Sequence, residues 1–257
     1  MFFRCNNLRN IPSLDTSKGT DFGSMFYNCQ NLTSVSNLDV SNGTDFSNIF
    51  YECENLTSVS NLDTSNGINF SGMFYTCYNL KSIPNLNTSN GTNFWRMFIY
   101  CNNLTNIPNL DTSNGTDFYG MFSGCYRLTN IPNLNTSNGI DFGSMFFICN
   151  NLTNIPNLDT SKGNDFHYMF FACSNLRNIP NLDVSNGIGF SGMFYGCNNL
   201  TNNSLYNIYN MLINATNATY KNLSNTNNYS PFYDTKFNSS YIPSSYQARL
   251  TNAGWTF

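Results

Sequence analysis

The sequence predicts a right-handed α/β solenoid closed at its C-terminal end by a capping segment. Three observations carry this. All nine cysteines stand at one spacing: Cys5, Cys29, Cys53, Cys77, Cys101, Cys125, Cys149, Cys173 and Cys197, each 24 residues after the last. The phenylalanines from Phe2 to Phe194 and the leucines from Leu8 to Leu200 keep the same step, without an insertion over eight turns. Within each period, apolar residues fall first at helical and then at extended spacing. A fixed period of this size marks stacked repeats, each burying its apolar face only against its neighbours. Residues 1–200 therefore read as eight full 24-residue repeats and a partial ninth, and residues 201–257 as the cap.

Each element follows from one repeat. In Asp21–Cys29 the apolar residues Phe22, Met25, Phe26 and Cys29 lie at i, i+3, i+4 and i+7, one face of a short helix. Before it stands Asp21, Asp45, Asn69, Asn93, Asp117, Asp141, Asp165 or Gly189, residue types favoured at a helix N-cap. Ser41-Asn42-Gly43 and its equivalents are expected to supply positive φ for a tight turn. Leu32, Val35 and Leu38 then mark an extended stretch. Proline follows its Ile/Val position in six of eight repeats, so this parallel strand must be very short or bulged. In the tail, Asn203/Ser204 is expected to cap a helix with Leu205, Ile208, Leu212 and Ala215 on one face.

Composition excludes several classes. Only 10% of residues are charged and the net charge is −3, which leaves no electrostatic footprint for nucleic acid. No apolar run approaches the roughly 20 residues of a membrane helix, so no membrane insertion is expected. Met1-Phe2 is already in phase with the repeat, and the chain is expected to begin inside the pattern, as a piece of something longer.

The repeated text "MFxxCxNLTxIPxLDTSNGTDF" resembles the 24-residue leucine-rich repeat of BspA-like surface proteins, over residues 1–200. The tail, ending "LTNAGWTF", resembles the segment that closes such arrays. The resemblance implies a leucine-rich-repeat-type solenoid that serves extracellular recognition or adhesion, on a bacterial cell surface or as a phage tail component at the virion surface.

The conserved columns within the chain read as architecture. Zinc sites need paired cysteines such as C-x2-C, and none occurs. The cysteine shares a face with Phe22 and Met25, so it reads as a buried thiol ladder. Asp15, Asp39, Asp63, Asp111, Asp159 and Asp183 read as turn caps rather than a calcium ladder, because Asn87 and Asn135 replace two of the set. Asn7 and its equivalents, interrupted by Arg127, read as a stacked amide ladder. His167 is the only histidine and stands in no nucleophile motif. No catalytic residue, metal ligand or cofactor is expected, and the chain reads as a non-enzyme.

Function is sought where the text stops repeating. The variable outward positions carry Trp95, Arg96, Tyr100, Tyr119, Tyr126, His167, Tyr168 and Phe171, beside a column at Phe3, Tyr27, Tyr51, Tyr75, Ile99, Phe147, Phe171 and Tyr195. Exposed aromatics in such number suggest a contact surface. Between Trp95, Ile99 and Tyr100 on one coil and Phe147 and Ile148 two coils on, Ser123 and Gly124 are the smallest side chains at their positions. This predicts a notch with Tyr119 and Tyr126 at its ends, and with Arg96 and Arg127 near enough to bond hydroxyls or a carboxylate. The expected partner is a surface glycan or a protein receptor. A second expectation is structural, with subunits associating end to end through an uncapped N-terminal coil.

Overall fold

The computed structural model of the protein describes residues 1–36, 38–223, 230–232 and 242–257. The first 200 residues wind into stacked coils that pair in parallel at one fixed position, Asp21 with Asp45, Asp45 with Asn69, and so on to Asp165 with Gly189. On another edge, β1 (Ser34–Val35) pairs in parallel with β2 (Ser58–Val59). Ser60 donates its N–H to Val35 at 2.9 Å. Pro84, Pro108, Pro132, Pro156 and Pro180 stand at the equivalent positions and have no such donor. The strand expected in every coil accordingly forms only in the two that carry Ser-Val-Ser, among the described residues.

The helix expected in every coil is absent from the described residues of the array, and a run of tight turns replaces it. The N–H groups of Met25, Tyr27 and Cys29 donate to the carbonyl three residues back. Those of Phe22, Ser24, Phe26 and Asn28 donate instead to Asp45, Ser47, Ile49 and Tyr51 of the next coil, at 2.6–2.9 Å. Ser24 and Asn28 are left-handed, with φ of 56° and 55°, a conformation no α-helix admits. The reason is spacing. Side-by-side helices need about 8–10 Å, whereas paired strands lie about 4.8 Å apart. A coil tied to its neighbour at strand spacing has no room for a helix, and the turns free alternate N–H groups for cross-coil bonds.

The interior consists of ladders. Phe22 to Phe190 and Phe2 to Phe194 form two files of stacked rings, with centroids 5.5–5.9 Å apart. Cys29 through Cys197 are buried and free, and each thiol donates to a phenylalanine carbonyl of the coil before, as Cys101 does to Phe74 at 3.1 Å. The glycine column has a different role from the one its turn-like setting suggests. Gly43 and its equivalents do not have positive φ; a Cβ on Gly43 would lie 2.6 Å from Phe46 Cζ and 2.8 Å from Phe22 Cδ2. Glycine is there because two rings press on the backbone.

Polar columns satisfy the coil edges. Asp39 Oδ1 accepts from the Ser41 N–H at 3.1 Å and from its hydroxyl at 2.7 Å. Asp21 Oδ1 accepts from Gly23 N–H at 2.8 Å, so this column caps a turn rather than a helix. Amides of Asn55, Asn79 and Asn103 step along their ladder at 3.3–3.4 Å.

The last coil meets α1 (Asn202–Asn214), whose N-cap is Thr201, ahead of the Asn203/Ser204 expected. Ser204 is buried instead: its hydroxyl donates to Arg177 O at 2.8 Å and accepts from Ile179 N–H at 3.0 Å. Leu205, Ile208, Tyr209, Met211 and Leu212 form the buried face of α1. Beyond α2 (Ser244–Asn252), the buried Trp255 sets its ring edge-on to Phe190 at 6.3 Å and donates to Leu212 O at 2.8 Å. Phe232 extends the other file, stacking on Phe194 at 5.9 Å. No helix among the described residues is long and apolar enough to cross a membrane.

Candidate functional site

The outward column of the turn run is a third, half-exposed file of rings. Phe3, Tyr27, Tyr51 and Tyr75 stack at 4.8, 4.5 and 4.2 Å. Phe147, Phe171 and Tyr195 stack at 4.8 and 4.1 Å. Between the two stacks stand Ile99 and Ser123, both buried, and the missing rings leave a slot of about 250 Å³. Its lining is Arg96, Ile99, Tyr100, Tyr119, Gly120, Ser123, Ser144, Phe147 and Tyr168.

Glycines at neighbouring positions determine how the large side chains lie. The Tyr100 ring rests on Gly124, where a Cβ would come within 2.2 Å of Cδ1 and where φ is +72°. Tyr119 and His167, with centroids 5.7 Å apart, close over Gly143 from its two sides. Tyr168 covers Gly192 in the same way, and the aliphatic stem of Arg96 lies 3.3 Å from a Cβ built on Gly120. A long side chain on one coil thus uses the absence of a side chain on the next.

Arg96 holds the centre of the patch. Its guanidinium carbon sits 4.4 Å from the Trp95 ring centroid and 5.3 Å from that of Tyr119, cation–π contacts that fix its plane. Its Nε is closed off from solvent and has no acceptor. His167 Nδ1 lies 2.5 Å from Asp165 Oδ1. That bond raises the imidazole above its ordinary range, against the burial that lowers it. For Asp165, burial is the largest influence and raises its pKa, but the bonds from His167 together outweigh it and the carboxyl is held low.

The structure brings together seven of the expected residues, Arg96, Ile99, Tyr100, Tyr119, Ser123, Phe147 and Tyr168, around one slot. Trp95 supports Arg96, His167 leans on Tyr119, and Phe171 stacks behind Phe147 at 4.8 Å. Gly124 is not part of the floor, because Tyr100 covers it. Tyr126 and Arg127 do not line the slot; Arg127 is exposed in the asparagine column. Gly120 and Ser144 join the lining without being singled out by the sequence. The available signal was Gly120 following Arg96 by one period, a small residue under a long one. Hydroxyl-bearing side chains, aromatic rings and one arginine line the slot together.

Overlapping stretches, residues 1–106, 55–154, 76–176 and 116–234, match the family model described as "Mycoplasma protein of unknown function, DUF285". No curated protein matches the chain in sequence. Among solved structures, the chain is similar to a leucine-rich-repeat protein of T. pallidum, at 19% identity over 79% of this chain and 81% of that one, with a TM-score of 0.43. It is similar to the plant peptide hormone receptor RGFR1 in complex with RGF2, at 13% identity, 68% of this chain, 32% of that one and a TM-score of 0.29. An internalin (inlF) from Listeria monocytogenes is similar at 15% identity, 85% of this chain, 71% of that one and a TM-score of 0.26. With matched stretches running from residue 1 to residue 234, the chain belongs to the repeat family of Mycoplasma proteins of unknown function, DUF285.

Proposed function

We propose that the chain is a non-catalytic recognition module of a bacterial surface, as the BspA-like repeat it resembles implies, capturing a glycan or a protein through the slot where the aromatic column breaks. One observation carries the reading. Interior ladders and polar edges repeat almost unchanged, whereas Trp95, Arg96, Tyr119, His167 and Tyr168 gather in four neighbouring coils around the break in the column. Selection for the fold alone gives no reason to concentrate aromatic and arginine side chains, the residues that dominate contact energetics, in one stretch of a uniform array. The test is capture of glycans on an array and of proteins from host-cell surfaces by the immobilised chain. Arg96→Ala and Tyr119→Ala should each weaken capture by about tenfold, as expected of residues contributing roughly 1.4 kcal/mol. Tyr27→Ala, on a coil far from the break, should change it by less than about twofold. Equal losses in all three variants would count against this face. Antibody labelling of intact cells tests surface display.

A further inference from the structure

We infer that the vacant rung at Ser123 is a subsite for a single pyranose ring, held between Ile99 and Phe147; this rests on the recognition reading above and names its ligand class. The dimensions come first. Ile99 and Phe147 stand two coils apart, about 10 Å at the strand-like rise of about 4.8 Å per coil. Carbon–carbon contact at about 3.5–4.0 Å assigns each wall a half-thickness of about 2 Å, which leaves about 6 Å between them. A chair-shaped sugar with its axial hydrogens fills that gap, contacting both walls through its C–H faces. The Phe147 ring, already stacked on Phe171, is held as a rigid platform for one of those faces.

The rim points to the same class. Tyr100, Tyr119, Tyr168, Ser123 and Ser144 bring five hydroxyl-bearing side chains to a slot of about 250 Å³. A polyhydroxylated ring can exchange hydrogen bonds with such a rim, whereas the apolar perimeter of a partner's aromatic side chain would leave it unpaired. Arg96 supplies the second observation. It lines the slot, and its guanidinium is held over the Trp95 and Tyr119 rings. A ring hydroxyl or a uronate carboxylate at the Arg96 end of the slot accepts from that guanidinium.

The experiment uses the whole chain and defined probes: methyl pyranosides of glucose, galactose, mannose, N-acetylglucosamine and glucuronic acid, with N-acetyltyrosine amide as the aromatic competitor. Binding is followed by NMR shifts of the Ile99 methyl groups and by calorimetry. At least one pyranoside should bind with an affinity on the order of millimolar, as suits a single small subsite. Ser123→Tyr adds the missing ring with a residue that already stands in this column at 27, 51 and 75, so the chain has precedent for folding with it. It should weaken that binding by at least about tenfold, and Phe147→Ala, which removes a wall, should do the same. Tyr27→Ala should leave it unchanged. No pyranoside binding, binding indifferent to Ser123→Tyr and Phe147→Ala, or preferential binding of the tyrosine amide would each overturn the subsite. Glycan or protein capture that survives Ser123→Tyr while pyranosides fail to bind would overturn the subsite alone. Failure of the wild-type chain to capture anything would overturn the recognition reading with it.

Discussion

At the scale of single residues, the array is governed by close approach. Gly115→Ala is compatible with the backbone but would place a methyl 2.6 Å from Phe118 Cζ and 3.0 Å from Phe94 Cε2 and Thr112 O. Overpacking of this kind costs about 1–3 kcal/mol, and denaturant titration should read a loss of that size. The thiols test the interior independently. Burial pushes Cys125 and Cys173 up to about 12 and Cys101 well above its ordinary value, so these groups carry almost no thiolate near neutral pH. In the native protein only Cys5, which is exposed, should react promptly with a thiol reagent, and the other eight should react after denaturation. At His167 the expected effect is on pH dependence. The raised imidazole contributes stability fully below its unfolded value of 6.5, and this is lost as pH rises through its higher folded pKa. The depressed Asp165 contributes above 3.8, and this is lost as pH falls through its lower folded pKa. Both are present between those limits. Asp165→Asn should lower the His167 midpoint measured by NMR, because burial then acts with less opposition.

At the scale of elements, one spacing decides between helix and turn. Phe22, Met25, Phe26 and Cys29 have helical periodicity, and all four are buried as a helix face would be. The periodicity reports which side chains point inward, and a run of turns with left-handed residues at 24 and 28 presents the same four. What differs is the destination of the N–H groups, and only a neighbouring coil can supply that. Circular dichroism should therefore find a small helical signal, on the scale of the 13 residues of α1 and the 9 of α2, the helices among the described residues. A helical signal several times larger would restore the helix to each coil. The strand edge shows the same dependence in a legible form, since Ser60 against Pro84 tells from sequence alone which coils can donate.

At the scale of the whole molecule, stability is a sum of nearest-neighbour interfaces, and the ends are where that sum fails. Trp255 and Phe232 continue the two phenylalanine files past Phe190 and Phe194. Ser204 meets the Arg177 carbonyl and the Ile179 N–H of the coil edge. Trp255→Ala should cost about 3–5 kcal/mol, the usual range for emptying a large buried aromatic site. Removing residues 201–257 uncovers Phe190, Phe194 and Leu200, and light scattering after size exclusion should then find association rather than a folded monomer.

By itself the sequence determined the 24-residue coil, the inward set from Phe22 to Leu38, the thiol ladder, the turn-capping aspartates and the place where the aromatic column breaks. Each of these follows from residue type repeated in register, and periodicity records register directly. The tertiary structure alone decided that turns replace helices, that Gly43 yields to rings rather than to positive φ, and that Tyr100 covers Gly124 while Ser123 lines the slot. All three depend on the distance between one coil and the next. A linear pattern lists what recurs, but the rise of about 5 Å per coil, which leaves room for a ring and none for a helix, appears only when the coils are stacked.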